Sequence, residues 1–344
     1  MKFSYTLNLI KKRLVNEYPS LSKYLRINYG LIPDEKNDKD WLMGASDDKL
    51  NWKIIKPDSN WLPEAERMIH EIQKNRLFDT MNCTRFSLNN VKEMIHIAKW
   101  NEVVNYSDRF PGYLQGTSQN GNSMNNQLEC DRKYGCVKEE EWPFKEDFNW
   151  NTYYQKPPQE ILDMGQRWLK DYTFGYDGVW ATKTMIIEAL KYSPLYVAVY
   201  AWYKKGMLYF SVNKPNHAST IISRDKYICY DSYDPFIKHL DEDFKIYYVK
   251  RIYLEKKSDE WELAELRELI NDGREYLIRP ENKGMAYKIT ENGLEYIPDI
   301  KDLSEDIAKY MKESPKNVNE MLRFLTSIKK IKWSSEDFYY SLKK

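Results

Sequence analysis

The chain has 344 residues, of which 42% are hydrophobic and 31% charged, enough for one large domain or two ordinary ones with a substantial core. Its 53 Lys+Arg and 52 Asp+Glu nearly cancel, which excludes an overall charge that would draw it to nucleic acid or an anionic membrane, and no basic patch stands out. No apolar run approaches the ~18 residues of a membrane span, and the opening MKFSYTLNLIKKRL has no small-residue cleavage site, so a cytoplasmic protein is expected.

Residues 1 to about 30 read as mostly helical, because Leu7, Ile10, Leu14, Tyr18, Leu21 and Leu25 recur at steps of three or four, with Pro19 breaking the run. The all-polar stretch 34–39 reads as an exposed connection. Residues 40–66, with Gly44, Pro57, Pro63, Trp41, Trp52 and Trp61, read as an extended segment anchored by tryptophans. A short helix is expected over 64–74. A longer amphipathic one follows from Cys83, on the spacing of Phe86, Val91, Met94, Ile95 and Ala98. Residues 107–126 are loop, 125–134 resume as helix closed by Gly135, and 154–163 begin an irregular span.

The period then changes. After a helix near 182–191, PLYVAVYAW (194–202), MLYFSV (207–212), ASTIIS (218–223), YICYDSYDP (227–235) and FKIYYVKRIYL (244–254) read as successive strands. Helices followed by antiparallel strands describe an α+β domain with a boundary near Lys256. Beyond it a charged helix is expected over 258–273 and a hairpin over 284–298 with Asn292-Gly293 at its turn. Helices are expected over 303–312 and 317–330, giving this tail a packing or docking role. The expected division is an N-terminal extension (1–60), a main domain (61–256) and a C-terminal hairpin with helices (257–344).

Four cysteines, Cys83, Cys130, Cys136 and Cys229, have no paired metal-ligand spacing, so neither structural zinc nor a cofactor is expected. Cys83 differs from the others in standing at a helix start, where unpaired N–H groups and the helix dipole favour the thiolate. Only four histidines could serve it as a base. His96 lies on the same helix, ~20 Å further along at ~1.5 Å per residue. His70 belongs to the preceding helix and His239 follows a proline turn among charges. His217 heads a strand, and the next strand ends at Asp231, within reach of the imidazole if the two pair as a hairpin. A thiolate to attack a carbonyl carbon, an imidazole to hold and return the proton and a third group to orient it form a nucleophilic set.

Cys, His and a carboxylate or amide in this chain order resemble papain-like cysteine peptidases. Cys83-Thr84-Arg85-Phe86-Ser87 is similar to that family's nucleophile helix, residues 121–144 to its glycine-rich substrate loop and following helix, and Asn216-His217-Ala218 to its Asn-His-Ala. The likeness covers roughly residues 60 to 255. It implies a helical subdomain carrying Cys83 and an antiparallel β subdomain carrying His217 and Asp231. It also implies cleft-lining backbone contacts from Gly121 and Asn122, and a peptide or protein substrate. Asp231 replaces the family's asparagine. The family's oxyanion glutamine falls six residues before the cysteine, where this chain has Leu77. Gln73 is the nearest candidate, with the Cys83 N–H as second donor, and losing such a donor costs roughly 10²–10³ in rate. A DW-L-G segment, Phe-Asp-Thr-Met-x-Cys and Asp-Ser-Tyr-Asp-Pro are similar to papain-like proteins encoded by bacteriophages. That likeness adds phage structural proteins as partners and the virion as a location besides the host cytoplasm. Three readings follow: a peptidase or amidase, an inactive papain-fold interaction protein of a virion, and a cell-wall amidase.

Overall fold

A computed structural model of the chain describes residues 2–23, 25, 27–34, 43, 50–223 and 227–257, and four strands beyond them. Its contacts divide the chain into two units, Met1–Lys256 and Lys257–Lys344. The first opens with α1 (Lys2–Glu17) and a 3-10 turn (Pro19–Lys23), where Pro19 ends the helix. Then come α2 (Leu62–Ala65), α3 (Cys83–Trp100), α4 (Phe110–Leu114), α5 (Met124–Tyr134), α6 (Trp150–Tyr153) and α7 (Gln159–Asp171). β1 (Tyr172–Val179) and α8 (Lys183–Leu190) lead into β2 (Leu195–Val199), β3 (Tyr203–Lys205), β4 (Leu208–Phe210), β5 (His217–Ser223), β6 (Ile228–Tyr230), β7 (Ile237–Leu240) and β8 (Ile246–Lys256). These strands form one sheet in the order β1-β8-β2-β5-β6-β7-β4-β3, antiparallel except between β4 and β7. The unit is α+β, with helices first and an antiparallel-rich sheet after them.

α3 runs through the middle of this unit. Its amphipathic pattern would ordinarily send one face to water, yet every residue from Cys83 to Ile97 is buried. Several of the polar residues are bonded internally instead, although Thr84 Oγ1 and His96 Nδ1 have no hydrogen-bond partner among the described residues. Arg85 bonds Gln127 and Asp131, and the Lys92 ammonium reaches the other Asp131 oxygen at 2.6 Å. Asn89 donates to the Tyr106 carbonyl and to Asp108, and Glu93 accepts the Tyr106 N–H. The helix ends where Asn101 turns left-handed at φ 57°.

Several elements differ from the sequence expectation. The helix expected over 64–74 stops at Ala65, because the following backbone is used elsewhere: the Gln73 N–H donates to Ser232 O and the Thr80 N–H to Gln73 O. Helix α7 begins within the span 154–163 read as irregular, and the rest of α7 with strand β1 occupies a stretch to which the sequence reading assigns no element. α4 is a short helix within the expected loop. In the second unit β9 (Tyr276–Arg279), β10 (Ala286–Thr290), β11 (Gly293–Ile297) and β12 (Met311–Glu313) form a sheet ordered β11-β10-β9-β12. The hairpin is present, but Gly293 pairs with Thr290 as a strand residue. Residues 311–313 are a strand parallel to β9 where the end of a helix was expected. The helices expected over 258–273 and 317–330 lie outside the described residues, as does most of 35–49.

Among the described residues, Asp131 is the one carboxylate bonded to both Arg85 and Lys92, all three fully buried. Asp131→Ala leaves two buried cations uncompensated and is expected to lower the unfolding free energy by about 3–5 kcal/mol, read from urea denaturation at neutral pH.

Candidate active site

The turn into α3 is shaped by Asp79, whose Oδ1 accepts the Met81 N–H at 3.1 Å and helps hold Met81 in a left-handed conformation at φ 57°. Asn82 occupies the N-cap position without capping through its side chain. Its amide instead donates to the Asp108 carbonyl at 2.9 Å. Cys83 is thereby the first helical residue, and its sulfur accepts the Ala218 N–H at 3.3 Å. The helical side and the sheet therefore meet at this sulfur.

His217, the residue before Ala218, begins β5 opposite Val199 of β2. Asp231 follows the last residue of β6, the strand on the other side of β5. The two side chains meet with His217 Nε2 at 2.5 Å from Asp231 Oδ1. A carboxylate can only accept, so Nε2 carries the proton and Nδ1 is left as the basic nitrogen. Nδ1 is buried without a hydrogen-bond partner among the described residues. The other Asp231 oxygen lies 2.8 Å from Lys238 Nζ, an ion pair without hydrogen-bond alignment. Burial pushes the Asp231 carboxyl up, but the Lys238 cation and the His217 ring outweigh it and hold the pKa down at about 2. Lys238 was not found from the sequence, where it is one lysine among 53 basic residues.

Gln73 lies on this site as well. Its Oε1 accepts from Ser232 Oγ at 2.8 Å, and its Nε2 lies 3.0 Å from Asp79 Oδ1, 2.6 Å from Tyr233 Oη and 3.2 Å from the Tyr29 carbonyl oxygen. Tyr233 in turn donates to Asp79 Oδ2. The other histidines are elsewhere. His96 is buried, 2.7 Å from Tyr106 Oη; His70 stacks on Phe236; His239 lies on β7.

Residues 27–34 cross the site. The Tyr29 N–H donates to Asn216 O, and Asn216 Nδ2 donates to Ile27 O. Asn122 donates its N–H to Gly30 O and accepts the Ile32 N–H, both at 2.9 Å, so that Leu31 and Asn122 bridge in parallel. The Asp34 carboxylate accepts the Met124 and Asn125 N–H groups at the start of α5. Two glycines permit the approach: a Cβ on Gly121 would fall 1.8 Å from Gly30 O, and one on Gly30 would fall 2.2 Å from Met81 O, with φ of +97° and +107°. The Tyr29 ring lies 4.9 Å from the His217 ring. Of the sequence candidates, Cys83, His217, Asp231 and Gln73 therefore converge, and Gly121 and Asn122 face the chain's own residues 30–32.

Cys83 and His217 are fully buried beneath this segment. The helix start favours a thiolate, but here burial pushes the Cys83 thiol far up, with Asp79 and Asp231 adding to it against the Ala218 N–H and Lys12. Burial therefore favours the protonated thiol in this arrangement. Among the described residues no group of three or more His, Cys, Asp or Glu could hold a metal ion, and no helix is long and apolar enough to cross a membrane.

No protein-family model matches the sequence, and no curated protein matches it. Among solved structures, the chain is similar to xylellain, a cysteine protease from Xylella fastidiosa, at 15% identity and a TM-score of 0.47 over 65% of this chain and 95% of that one. It is also similar to the Amb a 11 cysteine protease of ragweed pollen in its proform, at 15% identity and 0.40, over 56% of this chain and 65% of that one. A structure concerning the mite allergens Blo t 1 and Der p 1 matches at 12% identity and 0.40, over 56% and 69%. At TM-scores below 0.5 these likenesses do not bear on what this chain does.

Because the folded-state pKa of Asp231 lies below the ordinary carboxylate value, its stabilising contribution is complete above pH ~4 and is lost as pH falls toward ~2. Asp231→Asn is expected to remove this contribution, on the order of 2 kcal/mol. Urea midpoints measured from pH 7 to 2.5 should show the two proteins far apart at neutral pH and converging in acid.

Proposed function

We propose that the chain is a papain-like cysteine peptidase or amidase, with Cys83 as nucleophile, His217 as base and then acid, and Asp231 as the group that orients His217. The observation that carries this reading is the imidazole: Nε2 is fixed on Asp231, Nδ1 is left basic, and the next backbone N–H touches the Cys83 sulfur. In the reaction Nδ1 takes the thiol proton while sulfur bonds the carbonyl carbon of an amide. His217 then gives that proton to the leaving amine as the C–N bond breaks, and water attacks the thioester with His217 as base, restoring the thiol. Gln73 Nε2 and the Cys83 N–H supply the oxyanion donors. In this reading the Tyr29 carbonyl that Gln73 now meets takes the place of a substrate carbonyl, and Asn122 would offer an extended peptide its N–H and carbonyl. The substrate class is a peptide or protein.

In this reading residues 27–34 hold the enzyme latent. The same closed cleft also favours a second reading, a papain-like interaction or structural protein without turnover, of which a phage virion component is one form.

Gly30→Val separates them. A side chain there meets Met81 O and should dislodge residues 29–32, raising the iodoacetamide labelling rate of Cys83 ~10-fold or more, since a clash of this kind costs over ~1.4 kcal/mol. Hydrolysis of a peptide library should appear with the labelling and be lost in Gly30→Val/Cys83→Ala and Gly30→Val/His217→Ala. A labelled Cys83 with no hydrolysis of any peptide would leave the scaffold reading standing instead.

A further inference from the structure

Among the described side chains of helix α1, those of residues 6–17, apolar burial is small. Val15 is fully buried, but Leu7, Leu9 and Ile10 are 41%, 40% and 50% exposed. Asn8 of α1 bonds the carbonyl and N–H of Asn28 in the segment over the site, and Lys12 reaches further in. Lys12 Nζ lies 3.8 Å from Asp79 Oδ2, 3.8 Å from the centre of the Tyr29 ring and 4.6 Å from that of Tyr233, with the Lys12 and Asp79 side chains 15% and 4% exposed. The receiving group is fixed independently of α1. Asp79 Oδ1 is bonded by Gln73 and the Met81 N–H, and Oδ2 by the Tyr233 hydroxyl. A nearly buried carboxylate beside an aromatic face is a receptor for an alkylammonium or guanidinium. Burial disfavours the Lys12 charge, and Asp79 is the foremost group sustaining it. Among the described residues a second cation, Lys74, has its Nζ 5.8 Å from the Tyr233 ring centre.

We propose that the Asp79–Tyr233 pocket is a subsite for a cationic side chain, lysine or arginine, of the peptide that binds beside Cys83, and that Lys12 occupies it as a substrate side chain would. The assignment to a substrate rests on the peptidase reading, whereas the cation preference of the pocket does not.

Two measurements test it. In the full chain, Lys12→Ala empties the pocket, and millimolar n-butylammonium should raise the Tm of this variant and slow labelling of its Cys83. 1-Butanol, of the same length without the charge, should do neither, and Lys12→Ala/Asp79→Asn should not respond. Should Lys12→Ala fail to fold, Lys12→Arg is expected to keep Cys83 protected and Lys12→Met to expose it. In the opened Gly30→Val/Lys12→Ala chain, peptides carrying lysine at one position near the cleaved bond should react ~10-fold or more faster than norleucine counterparts, the discrimination a buried charge pair can supply. Equal responses to butanol and butylammonium, equal protection of Cys83 in Lys12→Arg and Lys12→Met, or hydrolysis indifferent to lysine would overturn the subsite. Hydrolysis without that preference leaves the peptidase reading intact. A butylammonium response in a chain that cleaves nothing supports the cation pocket and counts against the peptidase reading alone.

Discussion

One contact joins the two sides of the first unit at the place that matters: the Ala218 N–H donates to the Cys83 sulfur. It fixes the helix start against the strand start, and the rest of the seam keeps them in register. One turn along α3, Ser87 faces Thr220, whose hydroxyl lies 3.1 Å from both the Ser87 hydroxyl and the Ser87 carbonyl oxygen. His217 pairs with Val199 of β2, and its ring is bonded to Asp231 just after β6, so it cannot shift without disturbing both. The position of the imidazole relative to the thiol is therefore set by the packing of α3 on β5 and not by either side chain alone.

The state of the thiol is decided by a competition between two effects that act at the same atom. A helix start favours negative charge by about 0.3–1 kcal/mol, up to ~2 in partly buried sites. Complete burial can move a pKa by about 3–5 pH units, roughly 4–7 kcal/mol. Burial wins here, and two carboxylates, Asp79 and Asp231, act in the same sense. Removing residues 27–34 would reverse the larger effect and leave the smaller one, so the helix start becomes decisive once water reaches the sulfur. The acid partner behaves differently. Asp231 is equally buried, yet Lys238 and His217 favour its charged form, so the carboxylate bonded to the imidazole is held charged by its neighbours.

The features legible in the sequence and those hidden from it divide along a physical line. Cys83, His217 and Asp231 were visible because each carries rare or directional chemistry: a cysteine at a helix start, one of only four histidines at a strand start, a carboxylate ending the next strand. The antiparallel run after residue 190 was visible through its change of hydrophobic period. α7 and β1 were hidden behind Pro157 and Pro158, which mark an irregular entry and mask the helix and strand beyond it. The truncation of α2 was hidden because propensity yields to tertiary hydrogen bonds at Gln73. The segment over the site was the hardest to see, since it docks through main-chain groups, Gly30 O, Ile32 N–H and Tyr29 N–H, which leave no side-chain pattern. Lys12 read as an ordinary residue of a helical run, and nothing in its neighbours pointed to Asp79, 67 positions later in the same sequence.

If the cleft takes a peptide as proposed, a segment bound through its own backbone would compete with it for the same donors and acceptors, and would do so as part of the same chain. A tethered competitor acts at an effective concentration on the order of millimolar. A free peptide that made only the contacts now made by residues 29–32 would have to exceed that concentration to enter. Entry at lower concentration requires an interaction the segment lacks, or loosening of the contacts that hold it. Besides the bonds of Asn8 to the Asn28 backbone, α1 sends Lys12 to Asp79, so under the proposed reading a ligand able to replace Lys12 there would gain a contact and remove one of those that hold the helix. On that proposal, the charge at Asp79 would couple the occupant of the cleft to the segment that lies over it.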